Sequence, residues 1–240
     1  MDLITTATST EAGRLDATTA VLPVGSFEQH GDHLPLITDT AIACIIAQRL
    51  ADTYELFLLP PITISCSQEH VGSPGTVYIS AETLIAMIAD IRASLKDSGI
   101  DKLVVVSGHG GNYVLSNITR QANVAAPEVA LFPGKEEWNI ARDHAGMATN
   151  GHDDMHGGEL ETSILLHARP DLVRDTWREA DHDASNRPHL LLTGMTGYTT
   201  SGIIGRPSLS TPEKGAAALD SLVTTFADHL KILEASGRRR

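Results

Sequence analysis

Histidines and carboxylates are concentrated in three separate segments of this sequence, and each segment offers groups for metal binding or proton transfer. In the first, residues 26–39, Glu28 and His30 stand two positions apart, so an extended backbone points both side chains to the same side. Such a pair can bind one metal ion or two adjacent ions, and Asp39 could bridge two ions with one oxygen to each. The competing interpretation is a polar loop with helix caps, which suffices for any one of these residues taken alone.

The second segment has the sequence Gly-His-Gly-Gly-Asn over residues 108–112. It places the imidazole of His109 between glycines that let the backbone approach a ligand closely. A tight turn between a strand and a helix would need the same glycines. Phosphate binding is weakly supported, because the GxGxxG pattern and the Walker pattern with its lysine are absent.

The third segment, residues 156–163, begins His-Gly-Gly-Glu and runs into a predicted helix. Its two glutamates, Glu159 and Glu161, would also be favoured at the start of a helix by the helix dipole alone. Spacing does not choose between them as metal ligands. It also leaves open whether His156 binds metal, transfers protons or only forms hydrogen bonds.

Apolar patterns predict the strands and helices that position these segments. Short apolar runs predict four strands, at residues 19–25, 55–59, 102–107 and 129–132. Helical spacing predicts helices at 40–50, with Asp39 as N-cap, at 81–95, from Leu115 onwards, at 159–168 and at 212–233. Residues 134–158 are expected to form a loop with at most one short helix.

Strands that alternate with helices predict a three-layer α/β/α sandwich with a mostly parallel central sheet, since parallel strands need helical crossovers. The active sites of such folds lie outside the carboxyl ends of the strands. Gly25 and Gly108 close two predicted strands, and a ligand-rich segment follows each of them. We therefore expect these two segments to meet at one edge of the sheet.

The composition restricts the class of protein and of partner. With 240 residues, 42% of them hydrophobic, the chain is expected to form a single domain over residues 1–236, followed by a basic tail at 237–240. The 30 acidic and 18 basic residues give a net charge of −12, which would repel nucleic acid. Two cysteines, no signal-like N-terminal segment and no apolar run of about 18 residues predict a cytoplasmic protein without a membrane span.

A hydrolase with a serine or cysteine nucleophile is disfavoured. The GxSxG pattern of the strand-to-helix nucleophile turn is absent. Cys44 lies in a predicted helix and Cys66 in a loop, and no motif ties either to a histidine. Both are expected to be small packing residues.

Four motifs, in this order, resemble the creatininase family of amidohydrolases. They are Leu-Pro-Val-Gly-Ser-Phe-Glu-Gln-His-Gly-Asp-His-Leu-Pro at 22–35 with Asp39, Glu-His-Val-Gly-Ser-Pro-Gly-Thr at 69–76, Gly-His-Gly-Gly-Asn at 108–112, and His-Gly-Gly-Glu-Leu-Glu-Thr-Ser at 156–163. The resemblance extends over roughly residues 19–210 and implies a creatininase-like form of the sandwich.

This resemblance implies a centre of two divalent metal ions per chain, which would be zinc, manganese or iron. Asp39 would bridge the two ions. Glu28 and His109 would complete one ion, and His30 and Glu161 would complete the other. With three protein ligands each, the ions would have positions left for a shared water molecule.

The resemblance also implies how catalysis would proceed. A metal-bound hydroxide would attack an amide carbonyl, and His156 would pass a proton to the departing nitrogen. The substrate would be the amide of a small molecule or short peptide, with a C–N bond outside protein chains. The substrate side would be formed by His70, Gly75, Thr76, Gly110, Gly111 and Asn112. The protein would be a homo-oligomer, and a hexamer by the same resemblance.

Two departures from creatininase itself bear on the substrate. Gly111 stands where creatininase has a glutamate two residues after the metal-binding histidine, so one ion would lack an additional carboxylate. Residues 152–155 stand where creatininase has a tryptophan that covers its flat substrate, so creatinine is not the expected substrate. Relatives that deformylate purine-like intermediates, or that trim the C-terminus of the mycofactocin precursor peptide, leave both of those chemistries open.

Two hypotheses come from other functional classes. A binding protein that kept the fold without turnover is one, and the complete set of ligand residues together with His156 argues against it. A nucleotide-binding module on a doubly wound sheet is the other, and the missing glycine fingerprint argues against it.

Overall fold

A four-stranded parallel sheet forms the centre of the protein in a computed structural model that describes residues 4–235. The strands are Thr19–Val24 (β1), Phe57–Leu58 (β2), Lys102–Ser107 (β3) and Val129–Phe132 (β4). Their order in the sheet is β2-β1-β3-β4, and all three pairings are parallel. The strands predicted at 19–25, 102–107 and 129–132 are confirmed, and their apolar runs are buried on both faces as expected of a parallel sheet.

The helices follow the strands as the crossover rule for parallel sheets requires. They are Ser9–Leu15 (α1), Thr38–Tyr54 (α2), Ala81–Asp97 (α3), Val114–Ala122 (α4), Lys135–His144 (α5), Glu159–Ala168 (α6), Leu190–Thr193 (α7) and Pro212–Ala235 (α8). A single 3₁₀ turn, Gln68–His70, interrupts the long loop between β2 and α3. None of the helices in the described residues 4–235 is long and apolar enough to cross a membrane.

Alternate strand residues pack into two separate cores, which produces the expected three layers. Val21, Val104 and Phe132 face a core that contains apolar residues of α2, α5, α6 and α8. Their strand neighbours Leu22 and Val105 face the other core, built with α3 and α4. Side chains alternate between the faces of a strand, so the sheet is covered on both sides and the α/β/α sandwich is confirmed.

Two predictions of local structure need correction. Asp39 is not the N-cap of α2, because the helix begins at Thr38 after Ile37 and the Asp39 side chain turns inward to accept from Ser26 Oγ at 2.7 Å. The strand predicted at 55–59 is shortened, since Glu55 ends α2 with a left-handed φ of 54°. The tail predicted at 237–240 lies outside the described residues.

Close backbone approaches place the start of α2 against the carboxyl ends of the two central strands. A Cβ on Gly25, after β1, would overlap the backbone of Thr40, and one on Gly108, after β3, would overlap the carbonyl oxygen of Asp39. Both glycines therefore serve close packing, and neither has a positive φ. Their effect is to seat the first turn of α2, with Asp39, between the two ligand-rich loops.

Candidate metal centre

Five side chains from distant parts of the chain meet at the carboxyl edge of the sheet. Glu28 and His30 follow β1, Asp39 lies in the first turn of α2, His109 follows β3, and Glu161 lies in the first turn of α6. Four of these residues are buried, and the side chain of Glu161 is 19% exposed. They are the five residues predicted as metal ligands, and the fold brings all five together.

Among the described residues the donor atoms form three groups, and the atoms of each group lie within 4.8 Å of one another. Two groups share Asp39: one is Glu28, Asp39 and His109, and the other is His30, Asp39 and Glu161. The third group is Glu28, His30 and His156. Oδ2 of Asp39 is 2.9 Å from Nδ1 of His109, whereas Oδ1 is 3.0 Å from Nε2 of His30. Each oxygen of this carboxylate therefore faces a different group, as a carboxylate that bridges two ions must.

Hydrogen bonds on the outer sides of the two imidazoles direct their other nitrogens inward. Nε2 of His109 is 2.9 Å from the carbonyl oxygen of Cys66, and Nδ1 of His30 is 3.1 Å from the carbonyl oxygen of Glu28. A carbonyl oxygen can only accept, so these outer nitrogens carry the protons of the neutral rings. The lone pairs of the inner nitrogens then point into the site, as they do in histidines that bind metal.

Glu28 provides the clearest test of whether a cation fits here. Both of its carboxylate oxygens are buried without a hydrogen-bond partner. Nε2 of His70 and Nδ1 of His109 lie 3.1 and 3.2 Å from Oε1 but are not aligned as hydrogen bonds. Since an unpartnered buried charge is costly, the carboxylate and imidazole donors fit a divalent ion placed between them.

The pKa values of the cluster are shifted because its charged groups are buried close together. Burial raises the pKa of Glu161 to about 7, and burial followed by the nearby Asp39 charge raises the pKa of Glu28. Burial opposes protonation of His30, but the surrounding carboxylates, Asp39 foremost, raise its pKa to about 9. In the metal-free protein, protons thus take over part of the charge compensation that a cation would provide.

His156 lies beside the cluster with one nitrogen engaged and the other directed toward it. Its Nε2 is 2.7 Å from the carbonyl oxygen of Gln29, so Nε2 carries the proton and Nδ1 is left as the acceptor. That Nδ1 is 3.8 Å from Oε1 of Glu28. The side-chain amide nitrogen of Gln29 donates to Nδ1 of His70 at 3.0 Å. Gln29 therefore holds His156 through its backbone carbonyl and His70 through its side chain.

The residues predicted for the substrate side have different surroundings. His70 is buried and contacts Glu28, so it belongs to the cluster itself. Thr76 accepts a hydrogen bond from the backbone nitrogen of Gln29 at 3.1 Å, and Oδ1 of Asn112 accepts one from Cys66 at 3.1 Å. These two side chains support the loops around the centre.

The glycines of that predicted side also differ from one another. Gly75 adopts a φ of +82° and packs against the side chain of Leu36. Gly110 is exposed and has open space where a Cβ would lie. Gly111 has no open space at this position, because a Cβ there would overlap the carboxylate of Glu69 and Nε2 of His109.

Comparison with known proteins identifies the family. The model of the creatininase family, described as creatinine amidohydrolase, matches residues 5–230. The chain belongs to the creatininase family. The family membership predicted from the four motifs is thus confirmed.

Relatives within the creatininase family have several activities. The chain is 32% identical over 221 residues to the mycofactocin precursor peptide peptidase of Mycolicibacterium smegmatis, covering 88% of this chain and 83% of that protein. It is 28% identical over 232 residues to the creatinine amidohydrolase of Pseudomonas putida, covering 88% of each. A 147-residue match at 31% identity relates it to a formylaminopyrimidine-nucleotide deformylase of Methanothermus fervidus, covering 60% of this chain and 53% of that protein.

Solved structures of creatininases share the fold. The chain matches a manganese creatininase with a TM-score of 0.78 at 24% identity, over 94% of this chain and 96% of that one. It matches a mutant creatininase of Zn–Zn type with a TM-score of 0.77 at 23% identity, over 96% and 98%. The predicted creatininase-like sandwich is confirmed by these similarities.

At Gly111 the chain lacks a glutamate that creatininase has, and the structure shows another carboxylate nearby. The sequence indicated that one ion would lack a carboxylate at this position. The structure shows that Oε1 of Glu69 occupies the space next to Gly111, 3.3 Å from Nε2 of His109. A carboxylate therefore lies beside His109, although it comes from the loop after β2.

Three residues of the site were not assigned from the sequence. Ser26 donates to Asp39, Gln29 contacts two histidines, and Glu69 contacts His109. Ser26 and Gln29 stand inside the first ligand-rich segment, and Glu69 directly precedes His70. Adjacency to predicted site residues was the signal that would have found them.

Two other candidates have supporting roles outside the cluster. The carboxylate of Glu159 accepts from the backbone nitrogens of Ala148 and Thr149 and pairs with Lys214, so it anchors the preceding loop. Nε2 of His33 lies 3.0 Å from the carbonyl oxygen of Gly157, whose own nitrogen donates to Glu161 at 2.6 Å. His33 thereby supports the backbone that orients Glu161.

The buried His33 should make the protein less stable in acid. Burial lowers the pKa of His33 to about 4, from 6.5, so below about pH 6.5 the unfolded chain binds a proton that the folded chain does not. His33→Gln removes this difference, and the slope of unfolding free energy against pH should fall by up to about 1.4 kcal/mol per pH unit. Urea unfolding in the presence of EDTA between about pH 4.5 and 6.5 measures this slope.

The exposed His144 gives the matched control, because His144→Gln should leave the slope unchanged. Parallel profiles for wild type and His33→Gln would contradict the assignment of a neutral, buried His33.

Proposed function

We propose that this protein is a metal-dependent amidohydrolase that holds two divalent ions on Glu28, His30, Asp39, His109 and Glu161. The shared carboxylate of Asp39, with one oxygen 2.9 Å from His109 and the other 3.0 Å from His30, is the observation that supports this most directly. The substrate is a non-protein C–N amide in a small molecule or short peptide.

Bound divalent ions would supply Lewis acidity, lowering the pKa of a coordinated water and polarising a carbonyl oxygen. The chain's own contribution is to hold the ligands in fixed orientations. Carbonyl oxygens set the tautomers of His109 and His30, and the hydroxyl of Ser26 holds one oxygen of Asp39.

His156 is proposed as the residue that moves a proton to the leaving nitrogen. The carbonyl of Gln29 keeps the proton of the neutral ring on Nε2, so Nδ1 is the atom available to take up and release a proton. Burial lowers the pKa of His156 well below its usual value, so the ring is neutral at neutral pH. Gln29 keeps the ring oriented toward the cluster.

The donor set of carboxylates and imidazoles suits zinc, manganese or iron. The manganese creatininase and the creatininase of Zn–Zn type support the first two. The proposed substrates follow from the activities of the relatives. A mycofactocin-type precursor peptide is the first candidate, because the peptidase relative is 32% identical, and a formamide is the second.

We further propose a single domain, a cytoplasmic location and a homo-oligomer, with no nucleic-acid or membrane partner.

Asp39→Ala tests the two-ion centre. Because Asp39 belongs to both donor groups, the variant should lose most of both ions, whereas Asp32→Ala, an exposed residue of the same loop, should retain them. Metal per chain is measured by mass spectrometry together with hydrolysis of a panel of short peptides and formamides. Full metal retention in Asp39→Ala would contradict the shared-ligand assignment.

His156→Ala separates proton transfer from metal binding. The variant should keep its metal and lose about 10²- to 10⁴-fold in kcat, the usual share of a general acid–base group. The exposed His144→Ala is the control and should retain wild-type kcat. Loss of metal in His156→Ala would make His156 a ligand instead, which its place within 4.8 Å of Glu28 and His30 also allows.

A further inference from the structure

A carboxylate lies on the outer side of the His109 ring, opposite the metal-ligand cluster. Oε1 of Glu69 is 3.3 Å from Nε2 of His109, and the carbonyl oxygen of Cys66 is 2.9 Å from the same nitrogen. Nδ1, on the other side of the ring, faces Glu28 and Asp39. Glu69, His109 and the donor group therefore form one line of contacts.

Glu69 has no other charged partner that would explain its position. Among the described residues 4–235, no lysine or arginine lies within ion-pair distance of it, and its side chain is only 20% exposed. Gly194 packs closely against its backbone, since a Cβ on Gly194 would crowd the carbonyl oxygen of Glu69. A carboxylate this enclosed, with one imidazole as its ion-pair partner, is placed to act on that imidazole.

Gly111 gives the carboxylate its room. A Cβ at this position would overlap Oε1 of Glu69. The φ of Gly111 is not positive, so backbone conformation does not explain why a glycine stands here. The close approach of Glu69 explains it, because any larger residue would collide with the carboxylate.

We infer that Glu69 is a positioning residue that strengthens metal binding at the Glu28–Asp39–His109 group. A carboxylate that accepts from the outer nitrogen of a metal-binding histidine fixes the ring and makes the inner nitrogen more basic. The Nε2–H of His109 donates to the carbonyl oxygen of Cys66, and the charge of Glu69, 3.3 Å from the same nitrogen, would act on the ring as its ion-pair partner. The inference rests on the proposed metal centre and adds a residue to it.

Glu69→Gln preserves the size of the side chain and removes its charge. Titration of metal-free protein with Zn²⁺ or Mn²⁺ alone, against a chromophoric chelator, gives the Kd of each ion. The variant should bind one ion about 10- to 100-fold more weakly and the other within about threefold of wild type. Glu69→Ala should weaken the same ion, and the exposed Glu136→Gln should change neither Kd.

Glu161→Ala identifies which ion is affected, because it removes a ligand from the His30 group only. In that background, Glu69→Gln should still weaken the remaining ion by about 10- to 100-fold. Unchanged affinities in Glu69→Gln, an equal loss at both ions, or no loss in the Glu161→Ala background would each overturn the role of Glu69. Wild-type protein that binds neither ion would overturn the metal centre itself, and this inference with it.

Discussion

The carboxylate of Asp39 faces an imidazole with each of its two oxygens, and the rest of the site is organised around that contact. Three carboxylates, those of Glu28, Asp39 and Glu161, are enclosed with two histidines in the protein interior. Carboxylates this close repel one another, and burial adds a desolvation cost. Divalent cations between them would convert that repulsion into coordination. Because Asp39 is shared by two donor groups, the proposed centre has places for two adjacent ions.

The fold meets this requirement with a few local devices. Parallel strands deliver the two ligand-rich loops to one edge, and glycines at 25 and 108 let the first turn of α2 approach them. The outer nitrogens of His30 and His109 donate to backbone carbonyls, so the orientation of each ring depends on the path of the main chain. Residues outside the cluster, such as His33 and Glu159, hold that main chain in place. The geometry of the metal ligands therefore depends on the structure of the loops that carry them.

Much of this arrangement was predictable from local sequence pattern. The strands β1, β3 and β4 and their parallel orientation follow from buried apolar runs alternating with helices. The choice of Glu161 over Glu159 did not follow from spacing, because both lie in the first turn of α6, and only the family resemblance favoured Glu161. Glu69 was not predicted as a partner of His109, because the contact depends on a loop path 40 residues away in sequence. The sequence allowed Asp39 to be a helix cap or a metal ligand, because a carboxylate at a helix start has the same local pattern whether it caps or turns inward.

Anomalous X-ray diffraction from crystals grown with Mn²⁺ or Zn²⁺ tests the central claim most directly. The account predicts two anomalous peaks about 3.5–4 Å apart, one next to Oδ1 of Asp39 and the other next to Oδ2. A single peak, peaks remote from Asp39, or no peak at all at saturating metal would contradict it.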